Sequence, residues 1–111
     1  MGKLLVLASG VVKVPKGGVK AVSAYVALSA GAHSRIFRVR GSAEAPSVEE
    51  LPSATTLDMK RFQGTLQEDL QPAVDEARRE GHAAHVELSR PEWLAAIVRK
   101  YLKDTEGIDV E

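Results

Sequence analysis

Cysteine is absent from the 111 residues, and with it go disulfides, thiolate catalysis and Cys-ligated zinc or iron–sulfur centres, so stability has to come from packing. Asparagine is also missing. Alongside abundant Glu, Arg and Lys this fits a heat-loving source, and it fits a GC-rich genome equally well. Aromatic residues are few: Tyr25, Phe37, Phe62, Trp93 and Tyr101 are the whole supply, and most lie on faces the apolar pattern assigns to a core. Stacking platforms for single-stranded nucleic acid are therefore poorly provided. No stretch approaches the ~20 apolar residues of a membrane span, and the longest run, Leu4 to Ala8, has the length of a strand. No signal-peptide pattern opens the chain, which leads to the expectation of a soluble, cytoplasmic protein without membrane contact.

What is present is ordinary globular composition, with 44% apolar and 27% charged residues, on a chain of the size that forms one core. Residues 1–111 are expected to make a single globular domain. Leu4 to Ala8 reads as a central strand covered on both faces, ended by Ser9-Gly10. Val11, Val12 and Val14 then form either a second short strand or a bent extension of the first, before Pro15. Beyond Lys16-Gly17-Gly18, the residues Val19, Val22, Val26 and Ser29 fall at helical spacing among several alanines, which predicts a helix from Val19 to Ala30 capped by Gly31. Ser34 to Gly41 alternates with period two, placing Phe37 and Val39 on one face and Ile36, Arg38 and Arg40 on the other.

Ser42 to Thr56 reads as a polar surface excursion, with Ser47 and Glu50 spaced to cap one helical turn. Thr56 to Phe62 alternates like an edge strand. Thr65 and Glu68 have capping-box spacing ahead of a face of Leu66, Leu70, Val74 and Ala77, terminated near Gly81; Pro72 implies a kink, or a start near Gln71. His82 to Leu88 reads as a half-buried strand. Ser89, Pro91 and Glu92 then open a third helix with the stripe Leu94, Ile97, Val98 and Tyr101, and Asp104 to Glu111 form an acidic tail. The expected class is α/β or α+β: one layer of mixed sheet with about three helices, in the order β(β)αβ(β)αβα, with some strands parallel.

Charge is unevenly spread. Residues 1–43 hold seven basic side chains and no acidic one, whereas the remainder holds fifteen acidic against eight basic, so a net charge of zero conceals halves of +7 and −7. Two readings follow. In one, Lys16, Lys20, Arg35, Arg38 and Arg40, with the Gly17-Gly18 turn at a helix start, form an anion site for nucleic acid, another polyanion or a phosphate-bearing ligand. In the other, the basic half packs against the acidic half in surface ion pairs. The phosphate-loop and dinucleotide fingerprints are both missing.

The remaining candidates are thin. His82 and His85 are three apart, which on a strand sends them to opposite faces, so a metal is not expected. His33 at a turn could carry a proton, though no spacing selects a carboxylate partner, and Ala8-Ser9-Gly10 lacks the first glycine of a nucleophile elbow. No cofactor and no catalytic residue is expected. The working expectation is a non-catalytic module binding an anionic partner. Its alternative is a homodimeric structural or regulatory protein whose edge strand and Trp93-bearing helix bury the contact.

Overall fold

The computed structural model describes residues 2–16, 18–30, 33–52 and 59–110. Five strands and two helices follow one another as β1 (Lys3–Val14), β2 (Gly18–Ala30), β3 (His33–Ser42), β4 (Ser47–Glu50), α1 (Met59–Arg79), β5 (His85–Glu87) and α2 (Trp93–Glu106). The strands form one sheet in the order β4-β3-β2-β1-β5, every neighbouring pair antiparallel. The class is mixed α+β, with two helices rather than three among the described residues, and without the parallel neighbouring strands there that alternating strands and helices implied.

The missing helix is the largest correction. Val19 to Ala30 belongs to β2, not to a helix, because spacing of four satisfies both periods: Val22 and Val26 share a helix face and also a strand face. On the strand, Val22, Ala24, Val26 and Leu28 join the core on one side of the sheet, while Ala21 and Tyr25 join those on the other. A strand covered on both faces has no polar side to mark its period of two, and the alanines carry helical propensity that tertiary packing overrides. The expected cap at Gly31 lies outside the described residues.

β1 is likewise one strand through Ser9-Gly10, with register shifts between Val6 and Ala8 and between Val12 and Lys13. α1 and the chain after β5 pack closely over Gly10: a Cβ there would come within 3.2 Å of Leu70 Cδ1 and 3.3 Å of Leu88 Cδ2, so those side chains would have to give by a few tenths of an ångström. Ser47 and Glu50 bound a strand rather than a helical turn. Of the expected strand at Thr56 to Phe62, residues 56–58 lie outside the described residues, and the rest is the first turn of α1. That helix continues through Pro72, whose exposed position lets the ring lie on the solvent side. Thr65 is therefore no cap, and its hydroxyl donates to the Arg61 carbonyl at 2.9 Å. Gly81 does end the helix, with φ +90° and its N–H on the Arg78 carbonyl at 3.0 Å. Ser89 does not cap α2: the N-cap is Glu92, with no side-chain bond, and Gly107 closes the other end at φ 67°.

The helices cover opposite faces. Leu94, Val98 and Leu102 of α2 pack on Val11, Val22, Val26, Phe37 and Val39. Leu70, Val74 and Ala77 of α1 pack on Val12 and Ala21, and Phe62 and Leu66 on Tyr25 and Ile36. The acidic tail returns to the sheet, where Val110 makes an isolated parallel bridge to Gly2. No described helix is long and apolar enough to cross a membrane.

Candidate binding surface

The alternation of β3 divides its three arginines between the faces. Arg38 points under α1, where Nη2 donates to Asp69 Oδ2, and the fully buried Ser23 hydroxyl donates to the same oxygen at 3.0 Å. The guanidinium carbon lies 5.7 Å from the Tyr25 ring centre, and Tyr25 stacks on Phe62 at 4.2 Å. Burial disfavours the Arg38 cation, yet the Asp69 bond and charge outweigh it and hold the group above its ordinary range. Only 16% of the side chain is exposed, and Nε is buried without a partner among the described residues. Arg40, on the same face, reaches Glu49 at 3.7 Å.

Arg35 leaves the other face beside α2. Its Nε and Nη2 donate to Glu50 at 2.8 and 2.7 Å, while Nη1 and Nη2 donate to Glu106 at 3.0 and 2.7 Å. These bonds raise the arginine above its ordinary range and hold the Glu50 carboxyl below its own. One side chain thereby ties β3, β4 and the end of α2 together.

The remaining cations of the first half divide into paired and unpaired. Lys13 meets Glu87 at 2.8 Å, and the bond lowers that carboxyl. Lys20 meets Glu80 at 3.6 Å. Lys3 and Lys16 have no carboxylate partner among the described residues, and they stand at opposite ends of β1. Five of the seven basic side chains thus end on acids of the second half. Lys16, Lys20, Arg35, Arg38 and Arg40 do not converge, because Arg35 lies across the sheet from Arg38 and Arg40. The anion-loop argument also loses its helix: Lys16 at φ 64° and Gly18 at φ 72° turn β1 into β2, so no helix dipole adds to the turn, while Gly17 lies outside the described residues.

The other chemical candidates are dispersed. His82 follows α1 and His85 opens β5, both exposed, and no group of three or more metal-ligating side chains occurs among the described residues. The side chain of His33 is outside the described set. Ser9 lies within β1 and donates to the Ser89 carbonyl at 2.5 Å. An open cleft of about 470 Å³ lies between the end of β2–β3 and α1, lined in part by Lys20, Ser42, Asp69, Leu70 and Glu76. Its Asp69 is already engaged by Arg38 and Ser23.

A different surface emerges from the apolar side chains. Among the described residues the exposed large hydrophobics are Leu5 at 57%, Leu88 at 55% and Trp93 at 36%. Leu5 lies on β1, Leu88 directly after β5, and Trp93 at the start of α2. β5 pairs with Val11 to Lys13, and among the described residues no strand pairs with β1 on that side between Leu4 and Val6. Leu5 was expected inside a central strand, and the shortness of β5 is why it is not. A three-residue strand between polar turns has no sequence signal beyond a brief alternation. No family model, curated protein or solved structure matches the chain.

Proposed function

We propose that this chain is a non-catalytic interaction module that associates with a second copy of itself through the β1/β5 edge. The observation that carries the reading is the exposure of Leu5 on β1, of Leu88 directly after β5 and of Trp93 at the start of α2, the large exposed hydrophobics among the described residues. Large exposed apolar side chains gathered in one place mark association surfaces, and tryptophan is enriched at their centres. The opposite edge is the four-residue β4, whose Glu49 and Glu50 are engaged by the arginines of β3; short, charged edge strands resist pairing with a like edge. A twofold contact needs one self-complementary patch, and an apolar edge satisfies that requirement without a charge partner.

The paired state of Lys13, Lys20, Arg35, Arg38 and Arg40 lends a polyanion partner no comparable support. Light scattering after gel filtration, over a range of concentrations, tests the proposal. The expected particle has twice the 11.9 kDa mass of one chain, and the double substitution Leu88→Glu with Trp93→Glu returns it to a single chain. A particle of single-chain mass at every concentration overturns the reading.

A further inference from the structure

Leu4-Leu5-Val6-Leu7-Ala8 is a run of five apolar residues without charge, proline or glycine, a composition that pairs readily with another strand when it lies on an open edge. Its first part does lie on one, since β5 pairs with β1 from Val11 to Lys13. Successive residues of a strand turn their N–H and C=O groups to alternate sides. The Val6 carbonyl accepts Arg90 Nη2 at 3.4 Å, so Val6 turns its groups away from β2. The register against β2 is unbroken from Lys3 to Val6, and Leu4 therefore turns its groups the same way. Among the described residues the Leu4 N–H and C=O and the Val6 N–H have no backbone partner on that side.

Both ends of this stretch are covered by chain from elsewhere. At one end the Ser9 hydroxyl holds the Ser89 carbonyl, which sets Arg90 beside Val6. At the other end the residues after α2 form a strap. Gly107 at φ 67° turns the chain out of the helix, and the Ile108 N–H donates to the Leu102 carbonyl at 3.4 Å. From there burial alternates: Ile108 and Val110 pack half-buried against the main core, while Gly107 and Asp109 are exposed, the period of a strand. Asp109 is tied back to Lys103 at 3.6 Å, and Val110 bridges Gly2. The strap starts two strands away from β1, because Glu106 is held by Arg35 of β3. Two strand spacings are about 10 Å and four extended residues reach about 13 Å, so the strap crosses with little slack.

We propose that residues 107–110 and Arg90 are a guard that keeps the backbone of residues 4–6 from taking up another strand, and that the Arg35–Glu106 clamp seats it. Covering an edge with a loop and placing a charge on it are two means by which sheets avoid unwanted pairing. The guard leaves the exposed Leu5 side chain open to contact and denies the backbone beside it. The other edge needs no strap, since β4 is four residues long and ends in Glu49 and Glu50.

Amide hydrogen exchange at Leu4 and Val6, followed by NMR, reads the state of the edge, and light scattering on the same samples reads the mass. In the wild type both amides are expected to exchange fast at every concentration, whatever the mass. Val110→Asp with Arg90→Ala removes the apolar anchor and the charge, and is expected to slow both amides by about tenfold or more as concentration rises. Arg90→Ala with Glu106→Ala, two exposed positions, is expected to act in the same direction by loosening the seat, and it carries the test if Val110→Asp does not fold. Adding Leu5→Lys, a charge on the edge, is expected to restore fast exchange. Amides that stay fast in the folded double variants, that are already slow in the wild type, or whose slowing survives Leu5→Lys overturn the guard. A two-chain wild type with unresponsive double variants overturns the guard and leaves self-association standing. A single-chain wild type whose double variants slow as expected overturns self-association and leaves the guard.

Discussion

Arg35 and Arg38 stand three residues apart on β3, leave it on opposite faces, and both end on carboxylates from the second half of the chain. Their settings nevertheless differ in kind. Arg35 is satisfied at Nε, Nη1 and Nη2 by two glutamates and sits near the surface, where water can replace either partner. Arg38 is held under α1 against Tyr25 and Asp69, with one N–H unpaired and little water within reach. The lesson is that the number of hydrogen bonds does not rank the two contacts. What ranks them is how much solvent could compensate if the partner were removed.

Breaking the buried member should therefore have the largest effect. Asp69→Ala strands the Arg38 cation and leaves the buried Ser23 hydroxyl without its acceptor, and a charge orphaned in this way costs about 3 kcal/mol. Urea unfolding near neutral pH measures it as a lower midpoint with an unchanged slope. A loss under about 1 kcal/mol, the range of exposed pairs, would place Arg38 in the same class as Arg35. Replacing both partners by apolar residues, Arg38→Met with Asp69→Leu, sharpens the point, because removing a buried pair together is often close to neutral.

Arg35→Ala should come second. It removes four hydrogen bonds on paper, yet the group is partly exposed, so a loss of about 1 kcal/mol is expected, shrinking as salt is added. A loss that equals that of Asp69→Ala and ignores salt would erase the distinction between the faces.

The smallest effect is the pH dependence of the same clamp. The Arg35 bond lowers the folded-state pKa of Glu50, so the unfolded chain binds the proton more readily. The contribution is then complete above the ordinary carboxyl range and fades as the pH falls through the lowered folded value. Comparing unfolding midpoints of wild type and Glu50→Gln from neutral to strongly acid pH should show a small gap that closes on the acid side. A gap that widens with acid would contradict the assigned direction.

Much of this arrangement can be read from the chain, and the reasons for the misreadings are local. Phe37 and Val39 against Ile36, Arg38 and Arg40 show a clean period of two, and those faces are the observed ones. Leu94 and Val98 mark α2 because they continue at helical spacing to Tyr101 while Arg99, Lys100 and Lys103 fall off that stripe, and Gly81 marks the end of α1. β2 misleads because Val22 and Val26 fit both periods and no polar face breaks the tie. Asp69 carries a signal in the chain: it lies three residues after Leu66 and beside Leu70, on the margin of the buried stripe, where a carboxylate needs a partner. The +7 and −7 halves were legible as numbers. Their interlocking across the sheet was not, because it depends on which strands lie side by side.

The central claim is that the basic first half is occupied by the acidic second half and is not offered to a polyanion. Fluorescence anisotropy of a labelled single-stranded oligonucleotide, titrated with the protein at low salt, tests it most directly. The account expects no saturable binding at micromolar protein. Saturable binding that weakens in proportion to the logarithm of salt, and is lost when Arg35, Arg38 and Arg40 are replaced together in a chain that still folds, would contradict it.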